Sequence, residues 1–592
     1  NIPGSEDKFC IYDASYTRDE NRFPTALGKD KRSQLKRNNL FIYINTELAN
    51  GVNAYSEIAY YVSDSQRDLG QYTFNNTGSS NRGGGGVQST FVPASNYWLS
   101  QLQRLNGDSF LSRENSDGLF VRYGRWKTPR DFTSRRTTKR IVQGFSGQSG
   151  NWDWDTAFVW SQGESMMING GRIDMTALDA ALADSTPSAF NPFCNMGSNC
   201  NEEQFTISIF RKNTSDLYMY DFKMSNAEVF TMPNSLPVGM LIGAEIRREK
   251  IGDTRDPNIN GTIPYVENYG VYAGRTFPYT SNVVGSSPSP DTTGSRTVTS
   301  LFTELQIPLT ETINSQIAVR AESFDDIGDT VVGKFAIGWD INDYVKARAS
   351  TSTSFRAPNL VTVNEGLIAR VNSRNDSLIS YATGSNFADY GMQRIAQGNA
   401  NLESEESKTS SIGFVVTPFE NLVITYDMWK IEQEKTVGLF GEENHILLDT
   451  LLRIQGGVNE CIGNPLVVRS AYIGHIDIDT DEVLAWNSSL CPAGQVTRID
   501  DTYTNLDDRT LEGRDLLIAY SLDTDFGDFR FKLSGTFYDE MFQEASGPAS
   551  LIIAAAAPGG ALDASGVSVP NGFENLLGTR GQFEEKFTFS SS

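Results

Sequence analysis

Residues Asp343 to Leu360, DYVKARASTSTSFRAPNL, narrow what this chain can fold into more than any other stretch. Val345, Ala347, Ala349, Thr351 and Thr353 fall on one side of an extended strand, and Lys346, Arg348, Ser350 and Ser352 on the other. An apolar or small face backed by a polar one, held over about ten residues, suits a strand between lipid and a wet lumen. Pro358 then removes a ladder donor and opens a loop. Asn151 to Gln162 repeats the pattern, with Trp152, Trp154, Thr156, Phe158 and Trp160 on one side and Asp153, Asp155, Ala157, Val159 and Ser161 on the other. Eight residues from Trp152 to Trp160 rise roughly 20 Å on a tilted strand, close to the ~25 Å apolar band of a membrane barrel. The two tryptophans are then expected near the two interfaces, where amphipathic rings are favoured.

No segment reaches the ~18 to 20 apolar residues of a membrane helix; Leu551 to Ala557 comes nearest and is stopped by Pro558. A chain of this kind that crosses a membrane does so as a closed sheet. Aromatics at 11% and 52 glycines suit many strands with tight turns. The net charge of -23 argues against nucleic acid, whose partners carry a basic stripe. Acidic solvated loops account for that charge without a cationic ligand.

The alternation recurs along the chain. Strands are expected at Lys8 to Tyr16, Asn39 to Ala49, Val52 to Ser63, Arg136 to Phe145, Asn151 to Gln162, Leu217 to Phe230, Val238 to Lys250 and Thr297 to Ile307. They continue at Ile313 to Phe324, Val331 to Asp340, Tyr344 to Ser354, Lys408 to Thr417, Leu422 to Glu434, Leu511 to Leu522, Asp528 to Glu540 and Thr579 to Phe589. Short turns near residues 50, 148, 234, 310, 342, 419 and 525 fall on one side, provided Phe120 to Lys127 belongs to a loop. Long connections near 64–132, 166–215, 251–296, 355–407, 435–510 and 541–577 fall on the other. Short turns opposite long loops are the outer-membrane pattern, and no fixed-period repeat points to a propeller or solenoid.

Phe355-Arg356-Ala357-Pro358, closing a strand of small and hydroxyl residues, resembles a hallmark of TonB-dependent outer-membrane receptors. Gly398-Asn399-Ala400-Asn401-Leu402 with Glu405-Glu406-Ser407 is similar to a second element of that family, with Ala400 and Ser404 where prolines are expected. Val92 to Asn96 and Gly243 to Glu249 resemble further segments of it. The resemblance implies an all-β transmembrane antiparallel barrel, with about 16 strands here against about 22 in plugged transporters. Residues 1–592 are therefore expected to be a partial barrel domain truncated at both ends, without the N-terminal plug. The implied function is import of a scarce solute (a siderophore, cobalamin, oligosaccharide or peptide) across the outer membrane of a Gram-negative bacterium. TonB and its inner-membrane energising complex would act through an N-terminal segment outside this chain. A passive porin or surface adhesin on the same barrel is the alternative.

Enzymatic chemistry has little to stand on. The two histidines, His445 and His475, fall in one expected loop, and no HExxH, GxSxG or CxxC spacing occurs. Gly83 to Gly86 lacks the Lys-Ser/Thr of a phosphate loop, and His475 to Glu482 lacks the Gly and distal Glu of an EF-hand. No cofactor or metal is expected. Tyr97, Trp98, Trp126 and Trp486 are candidates to stack on a solute or to pack loops together, and Arg247 and Arg348 to line the lumen beside Glu245, Glu249 and Lys346. Cys194 with Cys200 and Cys461 with Cys491 are candidate loop disulfides, with Cys10 left over.

Overall fold

The computed structural model describes residues 29–75, 90–106, 117–120, 123–193, 200–269, 273–384, 390–476, 483–506, 508–545, 547–563, 576–578 and 582–592. Its main feature is a fifteen-stranded antiparallel sheet in which each strand pairs with the next in the sequence. We number these wall strands β1 Gln34–Glu47, β2 Asn53–Asn75, β3 Tyr123–Ser149, β4 Trp152–Ile173, β5 Thr206–Thr231, β6 Pro237–Arg255, β7 Thr292–Pro308 and β8 Ile313–Phe324. They continue as β9 Gly328–Asn342, β10 Val345–Arg356, β11 Glu405–Phe419, β12 Leu422–Glu434, β13 Arg509–Thr524, β14 Gly527–Gln543 and β15 Glu585–Ser591. Each coincides with one expected from the sequence; the remaining expected strand, Lys8 to Tyr16, lies outside the described residues. The fold class is the antiparallel transmembrane barrel, with β1 and β15 as the sheet edges among the described residues.

Register shows why these residues make a wall. Ile42, Ile58, Ile141, Trp160 and Tyr218 form one cross-strand row. Lower on the same face lie Ile246, Leu301, Phe335, Ile412 and Phe414, all exposed in this isolated chain and suited to lipid. The opposite face carries Glu57, Asp155, Asp221, Glu245, Arg247, Arg320, Arg348 and Asp427. Aromatic rings there lie over cross-strand glycines: Tyr55 over Gly144, Phe302 over Gly243 and Trp429 over Gly513. A Cβ on Gly144 would stand 2.0 Å from the Tyr55 ring, and on Gly243 2.3 Å from Phe302, so the missing side chain is what lets each ring lie flat.

The seven short turns all join odd to even strands, as expected. Two departures concern the other end. Strands extend well beyond the expected boundaries: β3 has 27 residues and β5 26, about two and a half times what crosses a bilayer, so the wall continues above the lipid. Residues 64–75 and 123–132, expected as loop, belong to β2 and β3. In addition β8 and β9 are joined tightly through Asp325, Asp326 and Ile327, with Gly328 taking φ +86°.

The long connections fold into a cap with its own cores. Helices α1 Tyr97–Asn106 and α2 Met175–Ala183 help bury Leu99, Trp126, Leu178, Leu182, Phe190 and Phe205. A second group contains α3 Leu360–Asn364, α4 Ser377–Thr383, α5 Glu442–Gly456 and α6 Gly547–Ala556, plus a small sheet of Ile368–Arg374, Tyr390–Ala396, Val496–Asp500 and Val467–Arg469. Ionic groups lie within it: Arg469 bonds both Asp376, at 2.8 and 3.0 Å, and Asp449, at 2.7 Å. Burial alone would raise the Asp376 carboxyl, but the Arg469 charge holds it below the ordinary carboxylate value. Burial pushes the Tyr390 hydroxyl, bonded to Asp376, well above its ordinary value. No described helix is long and apolar enough to cross a membrane.

Candidate functional site: a cavity at the lumen mouth

Where the inner wall meets the cap, β5 to β8 and the start of the β10–β11 loop line an open cavity of about 1000 Å³. Its floor is ionic, because β6 places Glu245, Arg247 and Glu249 on one face two residues apart. Arg247 donates to Glu245 at 2.7 Å, to Glu249 at 3.0 Å and to Glu322 on β8 at 3.4 Å. Glu322 is buried and also accepts from Arg320 at 2.5 Å and Ser300 at 3.1 Å. One wall is aromatic: the Phe324 ring lies 6.0 Å from the Arg247 guanidinium and 5.6 Å from that of Arg296, with Phe355 edge-on at 5.8 Å. The roof is α3, which contributes Leu360, Val361 and Thr362, and Tyr503 closes one side. A ligand here would meet aromatic and aliphatic surface together with paired charges.

Three tethers hold the roof down. Arg296, buried, donates to the Pro358 carbonyl at 2.8 Å and pairs with Asp326. Gly398 and Asn399 donate their backbone N–H groups to Glu365 and Thr362 at 2.8 and 3.0 Å. Gly398 has to be glycine, since a Cβ would stand 2.6 Å from the Glu365 nitrogen. Arg356 and Glu405 are direct strand partners joined by a two-pronged ion pair, and Glu405 Oε1 also accepts from Val437 N at 2.6 Å. The two sequence elements singled out above, 355–358 and 398–407, are thus one device that clamps α3 over the lumen mouth.

The candidate residues separate sharply. Arg247, Phe355, Arg356 and Ala357 line the cavity, and the Pro358 carbonyl anchors its roof. Arg348 lies lower on the inner wall, bonded to Asp427 at 2.9 and 2.6 Å. Trp126 is a correction: it is wholly buried between Phe190 and Phe205, so its ring is core and offers no face to a solute. Trp98 donates Nε1 to the Ala189 carbonyl at 3.0 Å and stands edge-on to Tyr97. Trp486 stacks on His475, meets Tyr472 and donates to the Leu490 carbonyl, so these rings pack loops. Cys461 and Cys491 are joined; Cys200 is disulfide-bonded, and Cys194 and Cys10 lie outside the described residues. No described group of side chains is arranged to hold a metal.

Sequence reading passed over Arg296 and Phe324, whose roles arise only when β7 and β8 are brought together, and it held Glu405 as part of a motif without its pairing to Arg356. Asn96, the last residue of the Val92 to Asn96 segment, is fully buried; it donates to the Leu182 and Phe190 carbonyls and accepts from Trp98 N and Leu99 N, a role its motif did not declare.

The structure is similar to several solved proteins. The siderophore receptor PirA from Acinetobacter baumannii matches 86% of this chain and 53% of its own at 12% identity, TM-score 0.45. The RagAB peptide importer matches 87% and 48% at 9% identity, TM-score 0.44, and the outer membrane transporter YddB from Escherichia coli 86% and 55% at 10%, TM-score 0.42. The chain thus spans about half the length of these structures. No curated protein sequence matches it. The model of one family, TonB dependent receptor-like, beta-barrel, matches residues 11–539, and the chain belongs to that family.

Proposed function

We propose that this chain is the wall and cap of an active importer in the outer membrane of a Gram-negative bacterium, energised through TonB. In this reading the cap captures a scarce solute, and the cavity under α3 is the first lumen station it meets. A plug supplied by the whole protein seals the path below, and its N-terminal segment engages TonB. The solute is a siderophore, cobalamin, oligosaccharide or peptide.

The observation that carries this reading is the roofed cavity at the mouth of a polar lumen, on a chain of this receptor family. A passive pore needs no fixed structure at its mouth, whereas α3 is tied beside this one at three places.

The test uses the intact native protein. Solute is screened by thermal shift with ferric siderophores, cobalamin, oligosaccharides and short peptides, and uptake of any that binds is followed in cells with and without TonB. We expect uptake to require TonB and the purified protein to show no steady conductance in planar bilayers. Uptake that persists without TonB, or a stable open channel, would return the protein to the porin reading.

A further inference from the structure

The cap holds a second polar cavity, open and of about 280 Å³, that shares no lining residue with the one at the lumen mouth. Two strands and a helix build it. Register places Asn372 and Arg374, on Ile368–Arg374, on the same side of the small sheet as Arg394, on Tyr390–Ala396. α5 packs there through Ile446, in one core with Tyr390 and Met392, and its first turn completes the lining. Asp501, fully buried, accepts from Arg394 Nε at 2.9 Å and Gly441 N at 3.2 Å, with His445 Nε2 3.4 Å away. Glu442, also buried, pairs with Arg374 Nε at 2.8 Å and accepts from Asn372 Nδ2.

These bonds fix the two guanidiniums through Nε and leave their outer ends over. Among the described residues, neither Nη atom of Arg394 nor Nη2 of Arg374 makes a hydrogen bond. Opposite them stands an acceptor in want of a donor. Asn444 is 9% exposed and commits Nδ2 to the Phe440 carbonyl at 2.7 Å, while its buried Oδ1 meets no described donor. Gly441, at φ +97°, has no side chain to cap α5, so the first-turn N–H groups stay open as well. Three carboxylates, Glu442, Glu443 and Asp501, oppose a bare anion, and two guanidiniums oppose a bare cation. No aromatic ring is among the lining residues, so a sugar or aryl ligand finds no face to stack on. A small molecule carrying ammonium and carboxylate side by side satisfies both sets.

We propose that this cavity binds the head group of a free α-amino acid, its carboxylate between Arg374 and Arg394 at the first turn of α5 and its ammonium between Asn444 Oδ1 and Glu443. A volume below the ~300 Å³ at which pockets for drug-sized ligands begin suits a molecule of this size. The site does not rest on the import reading, and its failure would leave that reading standing.

The experiment is isothermal titration calorimetry of the intact protein in mild detergent with each of the common free L-amino acids, then with the N-acetyl and the amide form of any that binds. At least one should bind with a Kd of about 1 mM or tighter, and both of its blocked forms about tenfold more weakly, the measure of one lost charged hydrogen bond. Arg374→Gln should weaken the free amino acid about tenfold and leave the amide unchanged, since the amide has already lost the charge that Arg374 meets. Asn444→Ala should do the same to the free form and leave the N-acetyl form unchanged. Loss of a merely structural group would weaken every form alike. Protease resistance of the cap reports folding; if Asn444→Ala loses it, Glu443→Gln, at an exposed position, should weaken the free form about threefold and spare the N-acetyl form. No binding by any free amino acid, equal binding of free and blocked forms, or variants of a folded cap that weaken all forms equally would overturn the proposal.

Discussion

Arg356 and Glu405 face each other as partners at the tops of β10 and β11, and the pair closes a loop of 48 intervening residues, 357–404. Glu405 is buried while most of the Arg356 side chain is exposed, so the carboxylate is the committed member. Arg356→Met should leave Glu405 with Val437 N as its remaining described donor. Solvent screening at the exposed guanidinium limits the cost to about 1–2 kcal/mol. Limited proteolysis should cut 357–404 and 435–508 faster, with the membrane wall intact; unchanged cutting would deny the clamp.

The roof tether is tested separately. Arg296→Met removes the donor to Pro358 and the partner of Asp326. Hydrogen exchange in 357–366 should accelerate at least tenfold, while β7 amides below the lumen mouth stay protected. If both stay protected, α3 is held by its backbone bonds to Gly398 and Asn399 alone.

Cap stability should depend on pH at both ends of the range. Asp376 is held below its ordinary value, so its contribution is present above about pH 4 and is lost as pH falls through the lowered folded value. Tyr390 is raised, so its contribution is present below about pH 10 and is lost above it. Protease resistance of the cap should be flat between these limits. Arg469→Met leaves the buried Asp376 carboxylate without a cationic partner, while Asp449 keeps Arg453 at 3.0 Å, and should cost about 3–5 kcal/mol at pH 7, most of it recovered when Asp376→Asn is added.

The Cys461–Cys491 bond closes a loop with sequence separation 30. The double serine variant should lose about 3–4 kcal/mol of cap stability by the loop-entropy relation. Thermal unfolding followed by tryptophan fluorescence should show an earlier cap transition and an unmoved wall transition.

Trp126→Ala should cost about 3–5 kcal/mol in the α1–α2 core. Gly243→Val should disrupt the inner wall by driving Phe302 off its seat, whereas Gly338→Val, on the same face with nothing within 4 Å of the added Cβ, should be tolerated. Heat-modifiable migration separates the two.

The sequence by itself determined the wall. Strand alternation is a local property with period two, so Val345 to Thr353 and Trp152 to Trp160 declare their faces without reference to any partner. Odd-to-even short turns then fix a meander, because a two- to five-residue link admits no other neighbour. Strand ends were less legible, since above the lipid both faces of β3 and β5 meet water or cap and the alternation fades.

Only the tertiary structure decided the site. Arg356 and Glu405 were visible as parts of two separate elements, but their pairing needs β10 and β11 side by side in one register. Arg296 and Phe324 carried no signal because each acts on groups 28 or more residues away. Trp126 looked like a surface aromatic for the same reason: its burial is set by which segments meet, and the upper end of β3 and two separate connections supply Trp126, Phe190 and Tyr265.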